Sequence, residues 1–288
     1  MSRILVVGAA GRVGRALVPL LRERGHEVVA GSARADALPA LDAVAGRATI
    51  ADPRRPDTIR EAAEGADGVF LATGDARDQD AVEAGALAAI TSAGRPFTVK
   101  LSAQSAGLSP PVSFGVQHAA AEAALRRSGL PHAVLRPVFF QQSLLLMAND
   151  ARKGRLVAPT GRGRAAMVDA RDVAASAAAI LDRPAGHDGT VHELTGPEAM
   201  SFGEVAARIG RLTGRGVRHV SPPAFLARRL LPLMTDLDRF AAGQVVDLMR
   251  AIAGGAQATV TDTVERLTGR SPRSVDAFLA ENEGAFAA

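Results

Sequence analysis

Three glycines at a spacing of three, Gly8, Gly11 and Gly14, lie between a short apolar run and an amphipathic stretch. The run, Ile4 to Val7, suits a strand buried on both faces of a parallel sheet. The stretch from Arg12 to about Arg24 carries Val13, Leu17, Leu20 and Leu21 on one face and ends at Gly25, as an amphipathic helix does. The glycines therefore fall in a strand-to-helix turn, where each has a physical role. Gly8 lets the chain turn sharply, Gly11 lets the backbone approach a pyrophosphate, and Gly14 lets the helix pack closely on the sheet. The helix start offers free N–H groups and a partial positive charge to phosphates. Gly8, Ala10, Gly11, Arg12, Val13 and Gly14 are thus the expected phosphate cradle for a dinucleotide.

The elements that must position this chemistry follow in alternation. His26 to Gly31 reads as a second strand, whose end should lie beside the adenosine ribose. No carboxylate stands there for a 2′-hydroxyl. Ser32 and Arg34 suit a 2′-phosphate instead, with Arg12 as a second clamp, so NADP(H) is the expected cofactor and NAD(H) the alternative. Ala48 to Ala51 is a third strand leading to Asp52, an acceptor for the adenine amino group or a cap for a helix over Asp57 to Glu64. Gly68 to Thr73 is a fourth strand that sets Ala72, Thr73 and Gly74 over the cofactor.

A helix from about Gln79 to Ala93, a strand from Pro96 to Leu101 and a helix within Val112 to Arg127 come next. A strand from His132 to Arg136, a short one at Ala166 to Asp169, a helix from near Arg171 and a strand from Thr190 to Leu194 complete the alternation. Beyond Pro197 the pattern is mostly helical, over Ser201 to Gly214, Pro223 to Leu233, Leu237 to Ile252 and Ser274 to Asn282. The expectation is an α/β fold: a Rossmann-like, doubly wound parallel sheet over 1–185, lining the cleft from about 140, and a small, mainly helical substrate-binding region over 186–288.

Composition excludes several classes. No apolar run nears the ~18 residues that span a bilayer, so no membrane association is expected. The N-terminus enters a strand directly, and there is no cysteine for disulfides or thiolate chemistry, so a cytoplasmic location is expected. The net charge of +4 comes from arginines scattered among 30 acidic residues, with Lys100 and Lys153 the only lysines, which argues against nucleic-acid binding. The six histidines lack metal-ligand spacing, so no metal is expected, and no Gly-x-Ser-x-Gly elbow is present.

An ordered set of segments carries a family resemblance. It comprises Gly8 to Gly14, Val99 to Ala103, Ser113-Phe114, His118 with Glu122, Ser128 to Pro131, Leu135 to Phe140, Val168 to Ala174 and Leu194 to Glu198. Over residues 1 to about 225 the chain resembles atypical short-chain dehydrogenases/reductases of the NmrA-like type, related to triphenylmethane reductase and quinone oxidoreductases. The resemblance implies a Rossmann-like domain, a small C-terminal substrate domain and NADP(H) in the cleft. Many members are reductases and some are non-catalytic redox sensors.

Standard members use a Ser, a Tyr that protonates the substrate oxygen, and a Lys four residues after the Tyr. Here Phe114 stands at the Tyr position and His118 at the Lys position, and the chain contains no tyrosine at all. Ser102 matches the family's serine and is the first candidate donor. His118 is a candidate partner for the ribose and, when protonated, a proton relay; Ser113 is a weaker donor. Lys100, Ser102, His118, Pro137 and Phe139 complete the expected cofactor contacts. Phe114, Phe139, Phe140 and Gln141 form the expected substrate wall, with Phe202 and Phe225 as further apolar candidates.

The substrate itself is another proton source: a ketone beside a phenol carries an internal donor, and a quinone has no strict need of one. The expected function is NADPH-dependent reduction of an aromatic, apolar ketone or quinone by a monomer or homodimer. Narrowly, it is that of a polyketide-tailoring (angucyclinone-type) ketoreductase in antibiotic biosynthesis. The alternative is a non-enzymatic NADP(H) sensor that binds a protein partner.

Overall fold

The computed structural model describes every residue except 75, 109–111, 236 and 288, and, within its helices, every side chain except those of Ser113, Phe114 and Met234. In chain order the first half comprises β1 (Arg3–Val7), α1 (Arg12–Glu23), β2 (Glu27–Ser32), α2 (Leu38–Ala45), β3 (Ala48–Ile50), α3 (Pro56–Ala63), β4 (Gly68–Leu71), α4 (Gln79–Ser92), β5 (Phe97–Leu101), α5 (Ser113–Ser128) and β6 (His132–Pro137). Then come α6 (Ala148–Arg152), β7 (Arg155–Val157), β8 (Arg164–Ala165), α7 (Ala170–Asp182), β9 (Thr190–Leu194), β10 (Met200–Ser201), α8 (Phe202–Thr213), β11 (Arg218–Val220), α9 (Ala224–Met234), α10 (Arg239–Ala253), α11 (Thr263–Thr268), α12 (Val275–Glu281) and α13 (Glu283–Phe286).

Seven strands form one sheet in the order β3-β2-β1-β4-β5-β6-β9. Every pairing in it is parallel. The run Ile4–Val7 is wholly buried because helices cover both faces. One face packs under α1, α2, α7 and α11, the other under α3, α4 and α5. After β3 the chain crosses to the far side of β1, so the strand order reverses between β1 and β4. The glycine turn leaves β1 at that switch point, where open α/β sheets bind their ligands.

The boundary expected at residue 185 falls between α7 and β9. β9 pairs with β6 through the register Ala133↔Thr190 to Pro137↔Leu194 and is the seventh strand of the main sheet. α11 also returns to that layer, packing on α7 and β9.

The second core instead gathers two separated stretches: Phe139, Leu144, Leu156 and Met167 meet Phe202, Ile209, Ile252, Phe278 and Phe286. Short pairings stitch them together, β7 parallel to β11 and β8 antiparallel to β10. The strand expected at Ala166–Asp169 reduces to a single bridge, Val168 to Phe140. Its backbone groups are shared among Gln257, Gly196, Phe139 and Gln141, so no single neighbour extends a ladder.

Candidate functional site

The glycine turn is a cradle that side chains would fill. Gly8 has φ +82°, and a Cβ there would lie 2.5 Å from the Ala72 carbonyl oxygen. A Cβ on Gly14 would lie 2.3 Å from the Gly8 oxygen and 2.7 Å from Ala9 Cα, so α1 can seat on the turn only without one. Gly11 is the N-cap of α1 and offers no capping side chain, and no acidic residue occupies the first helical turn. The N–H groups of Gly8 and Ala9 donate to Gly31, which ties the turn to β2. Free amides, a helix start and no competing carboxylate fit a dinucleotide pyrophosphate.

Around the cradle the expected contacts are partly redistributed. Val13 is buried in the core, and the Ala10 carbonyl accepts from Arg15. Arg12 donates to Ser143 at 3.2 Å, linking the cradle to the helical turn over Gln141–Met147. Ser32 ends β2, and its oxygen accepts from the Arg34 amide at 3.0 Å. That turn leaves Arg34 exposed, with Asp36 3.9 Å away. Asp52 does not cap α3. Its carboxylate accepts from the Arg54 amide, and α3 begins at Pro56 behind Arg55 without a side-chain cap. Gly74 is exposed, whereas the Thr73 hydroxyl turns inward and donates to Glu83 at 2.5 Å.

Beneath β4 and β5 lies a buried polar network. Lys100 Nζ sits 2.7 Å from Glu83, whose other oxygen accepts from Thr73 and Gln79. Burial pushes the Glu83 carboxyl up, but Lys100 and these hydrogen bonds outweigh it and hold it below the usual carboxylate range. Lys100 is wholly enclosed and also donates to the Leu101 carbonyl.

Ser102, at the end of β5, donates to Glu122 at 2.6 Å. Arg136 grips the same carboxylate with two bonds of 2.9 and 2.6 Å. Burial again raises the Glu122 carboxyl, and the bonds from Arg136 and Ser102 bring it below its ordinary value.

His118 lies buried on α5 between these two pairs. Burial and then the Lys100 charge push its imidazole down to about 4, against the pull of Glu83 and Glu122. With that value the side chain is neutral at pH 7. The expected donor Ser113 and the expected substrate-wall residue Phe114 have side chains outside the described residues. Their helix turn is nonetheless fixed, because Gly115 lies so close to the Ser105 backbone that a Cβ would meet its oxygen at 2.4 Å.

The expected substrate wall divides. Pro137 is buried at the end of β6. Phe139 packs edge-on against Phe202 with centroids 5.6 Å apart, so both serve the second core. Gln141 is fully buried and donates to the Met167 and Arg273 carbonyls, tying the C-terminal segment down. Phe140 is half-buried, and Phe225 is 77% exposed on α9.

Sequence reasoning missed Glu83 and Arg136. Lys100 inside a buried strand was the available signal, because an enclosed ammonium requires a counter-charge. Among the described residues no group of His, Cys, Asp or Glu is arranged to hold a metal ion, and no helix is long and apolar enough to cross a membrane.

Residues 8–184 match a protein family described as NAD(P)H-binding. The chain is 32% identical to an NAD(P)H azoreductase from Xenophilus azovorans over 286 residues, 99% of each chain. It is also 32% identical over 292 residues, again 99% of each chain, to the (4-alkanoyl-5-oxo-2,5-dihydrofuran-3-yl)methyl phosphate reductase of Streptomyces griseus. Its fold superposes on an NADPH-dependent quinone oxidoreductase of Escherichia coli, crystallised with NADPH, with a TM-score of 0.88, covering 98% of both chains at 23% identity. The chain belongs to the NAD(P)H-binding family and is an NAD(P)H-dependent oxidoreductase.

Proposed function

We propose that the chain reduces a quinone, or an aromatic ketone whose own phenol shares a proton with its carbonyl, using NADPH in preference to NADH. One observation carries this reading: Ser102 commits its proton to Glu122, and His118 is neutral above about pH 4. Neither is a strong acid at neutral pH, and the chain has no tyrosine. An isolated ketone reduced to an alkoxide needs a proton in the same step. A quinone does not, because its two-electron reduction leaves a stabilised hydroquinone anion that takes its proton from water. The balance is quinone, NADPH and one proton to hydroquinone and NADP⁺.

Bound NAD(P)H supplies the hydride. The protein's part is to hold the acceptor and offer hydrogen bonds to its developing negative oxygen. Glu122 fixes the rotamer of Ser102 at the end of β5, where the acceptor would lie. One relative is named an azoreductase and one structural neighbour a quinone oxidoreductase, and azo groups and quinones are both conjugated electron acceptors, which supports this class. An angucyclinone-type polyketide ketone in antibiotic biosynthesis is the narrower substrate, and a cytoplasmic monomer or homodimer the form that acts on it.

The test is NADPH oxidation, followed at its absorbance band, with menadione, a hydroxyanthraquinone, an angucyclinone ketone and acetophenone. Turnover is expected on the first three and not on acetophenone. Comparable turnover of acetophenone would sink the proposal. Tight NADPH binding without turnover of any acceptor would favour the sensor reading.

A further inference from the structure

A cavity of about 300 Å³ opens between the loop after β4 and the helices α9 and α10. It is lined by Arg77, Arg228, Arg239, Phe240, Gly243 and Gln244. We propose that its three arginines form an anion subsite for the substrate, taking a phosphate, sulfonate or carboxylate that lies away from the reducible group. This rests on the reductase reading above and adds to it a substrate that is apolar at one end and anionic at the other.

Charge and geometry carry the inference. Two carboxylates face the three guanidinium groups: Asp238 lies 3.4 Å from Arg77, and Asp247 lies 3.2 Å from Arg228. Asp238 is also engaged by the Ala241 amide at 2.7 Å as the cap of α10. Arg239 makes no ion pair with any described residue, so the described charges lining the cavity sum to a net positive one. The cations are also seated. The Arg77 guanidinium stacks 4.9 Å from the centroid of Phe240. A Cβ on Gly243 would lie 2.9 Å from Arg228 Nη2, so the glycine makes room for that side chain against α10. Planar, pre-oriented guanidinium groups bind oxyanions in bidentate fashion.

The cavity is tied to the reacting edge. Gln244, one of its lining residues, donates to Gln117 at 3.2 Å. Gln117 in turn donates to the carbonyls of Ala76 and Arg77 at 2.8 and 2.9 Å. It immediately precedes His118 on α5. One side chain therefore joins the arginine loop and α10 to the turn of α5 that precedes His118.

Two measurements test the subsite. The first compares kcat/KM for 1,4-naphthoquinone-6-sulfonate with that for 1,4-naphthoquinone. The protein should prefer the sulfonate by about tenfold or more, and the Arg228→Gln/Arg239→Gln double variant should bring the ratio close to one. The second is calorimetric titration of the NADP⁺-loaded protein with 2-naphthalenesulfonate and with 2-naphthalenemethanol, which needs no turnover. The sulfonate should bind more tightly, and the double variant should raise its Kd by about tenfold or more.

Arg239→Gln alone, which breaks no ion pair with a described residue, should shift both readouts in the same direction and guards against misfolding. Sulfonate binding without quinone turnover would overturn the reductase reading and leave the subsite standing. No preference for sulfonate, or an equal loss of NADPH affinity in the variants, would overturn the subsite.

Discussion

Lys100 Nζ and Glu83 Oε2 lie 2.7 Å apart in an ion pair that solvent does not reach. β5 and α4 are held together by charge in the layer directly below the cleft. Removing one partner leaves the other charged and dry. Glu83→Ala is therefore expected to cost about 3–5 kcal/mol, measured by urea denaturation at pH 7. Replacing both residues, as in Glu83→Leu/Lys100→Met, should cost less than either single change. Because the Glu83 carboxyl is depressed, its stabilising contribution is present above its unfolded value and lost as the pH falls through the folded one. A single-variant cost below about 1 kcal/mol would remove the pair from the framework of the site.

His118 makes a prediction of the same kind with the opposite charge. Its folded value of about 4 lies below the ordinary 6.5, so between those limits the unfolded chain binds more protons. Stability should accordingly rise with pH across that window, by roughly 3 kcal/mol for this one group. His192 is pushed to about 4 as well, by burial and then by His187 and Arg266, so the readout is the difference between the protein and His118→Gln. The variant should flatten the pH dependence between 4 and 6.5. The kcat/KM profile should also show no step from His118 near 6.5, and an NMR titration that places the His118 imidazole itself there would refute the assignment.

How far these features could be read in advance depends on their range. Local patterns sufficed for the glycine turn, and strand Thr190–Leu194 was found with its observed ends. The sheet neighbour of that strand was not legible, because its residues do not encode whether they pair with β6 or join a second unit. α2 escaped notice although Pro39 at its start and Gly46 at φ +78° beyond its end are ordinary helix punctuation. At the site, Ser102 and His118 were legible as chemistry. Their electrostatics were not, because Glu83, Lys100 and Arg136 come from α4, β5 and β6, separated in sequence from α5. The low value of His118 comes first from burial and then from the Lys100 charge, neither of which the sequence around His118 shows.

Gly14→Ala should separate packing from affinity. The added methyl would enter the space of the Gly8 carbonyl and Ala9 Cα, both backbone, so the neighbour that must give way is the phosphate-binding turn itself. α1 would be pushed off β1, and the free amides of the turn would move with it. NADPH affinity is expected to fall by at least about tenfold, with Tm lowered as well. Calorimetry and a thermal melt check both. Unaltered NADPH affinity would mean that the cofactor does not use this turn.

The choice between NADPH and NADH should rest on Arg34. β2 ends at Ser32 with no carboxylate to accept from a 2′-hydroxyl, and the Ser32–Arg34 turn projects the arginine outward. Its neighbour Asp36 is exposed and 3.9 Å away, too weak a partner to withhold it from a phosphate. Arg12, the other expected clamp, already donates to Ser143, which makes Arg34 the freer of the two. Arg34→Glu would replace an attraction for the 2′-phosphate with a repulsion and supply an acceptor for a 2′-hydroxyl. The ratio of kcat/KM for NADPH over NADH should drop by at least about tenfold, mostly through KM, because the substitution is remote from the reacting edge. If the ratio holds while both cofactors still turn over, discrimination lies in Arg12 and the cradle rather than at the end of β2.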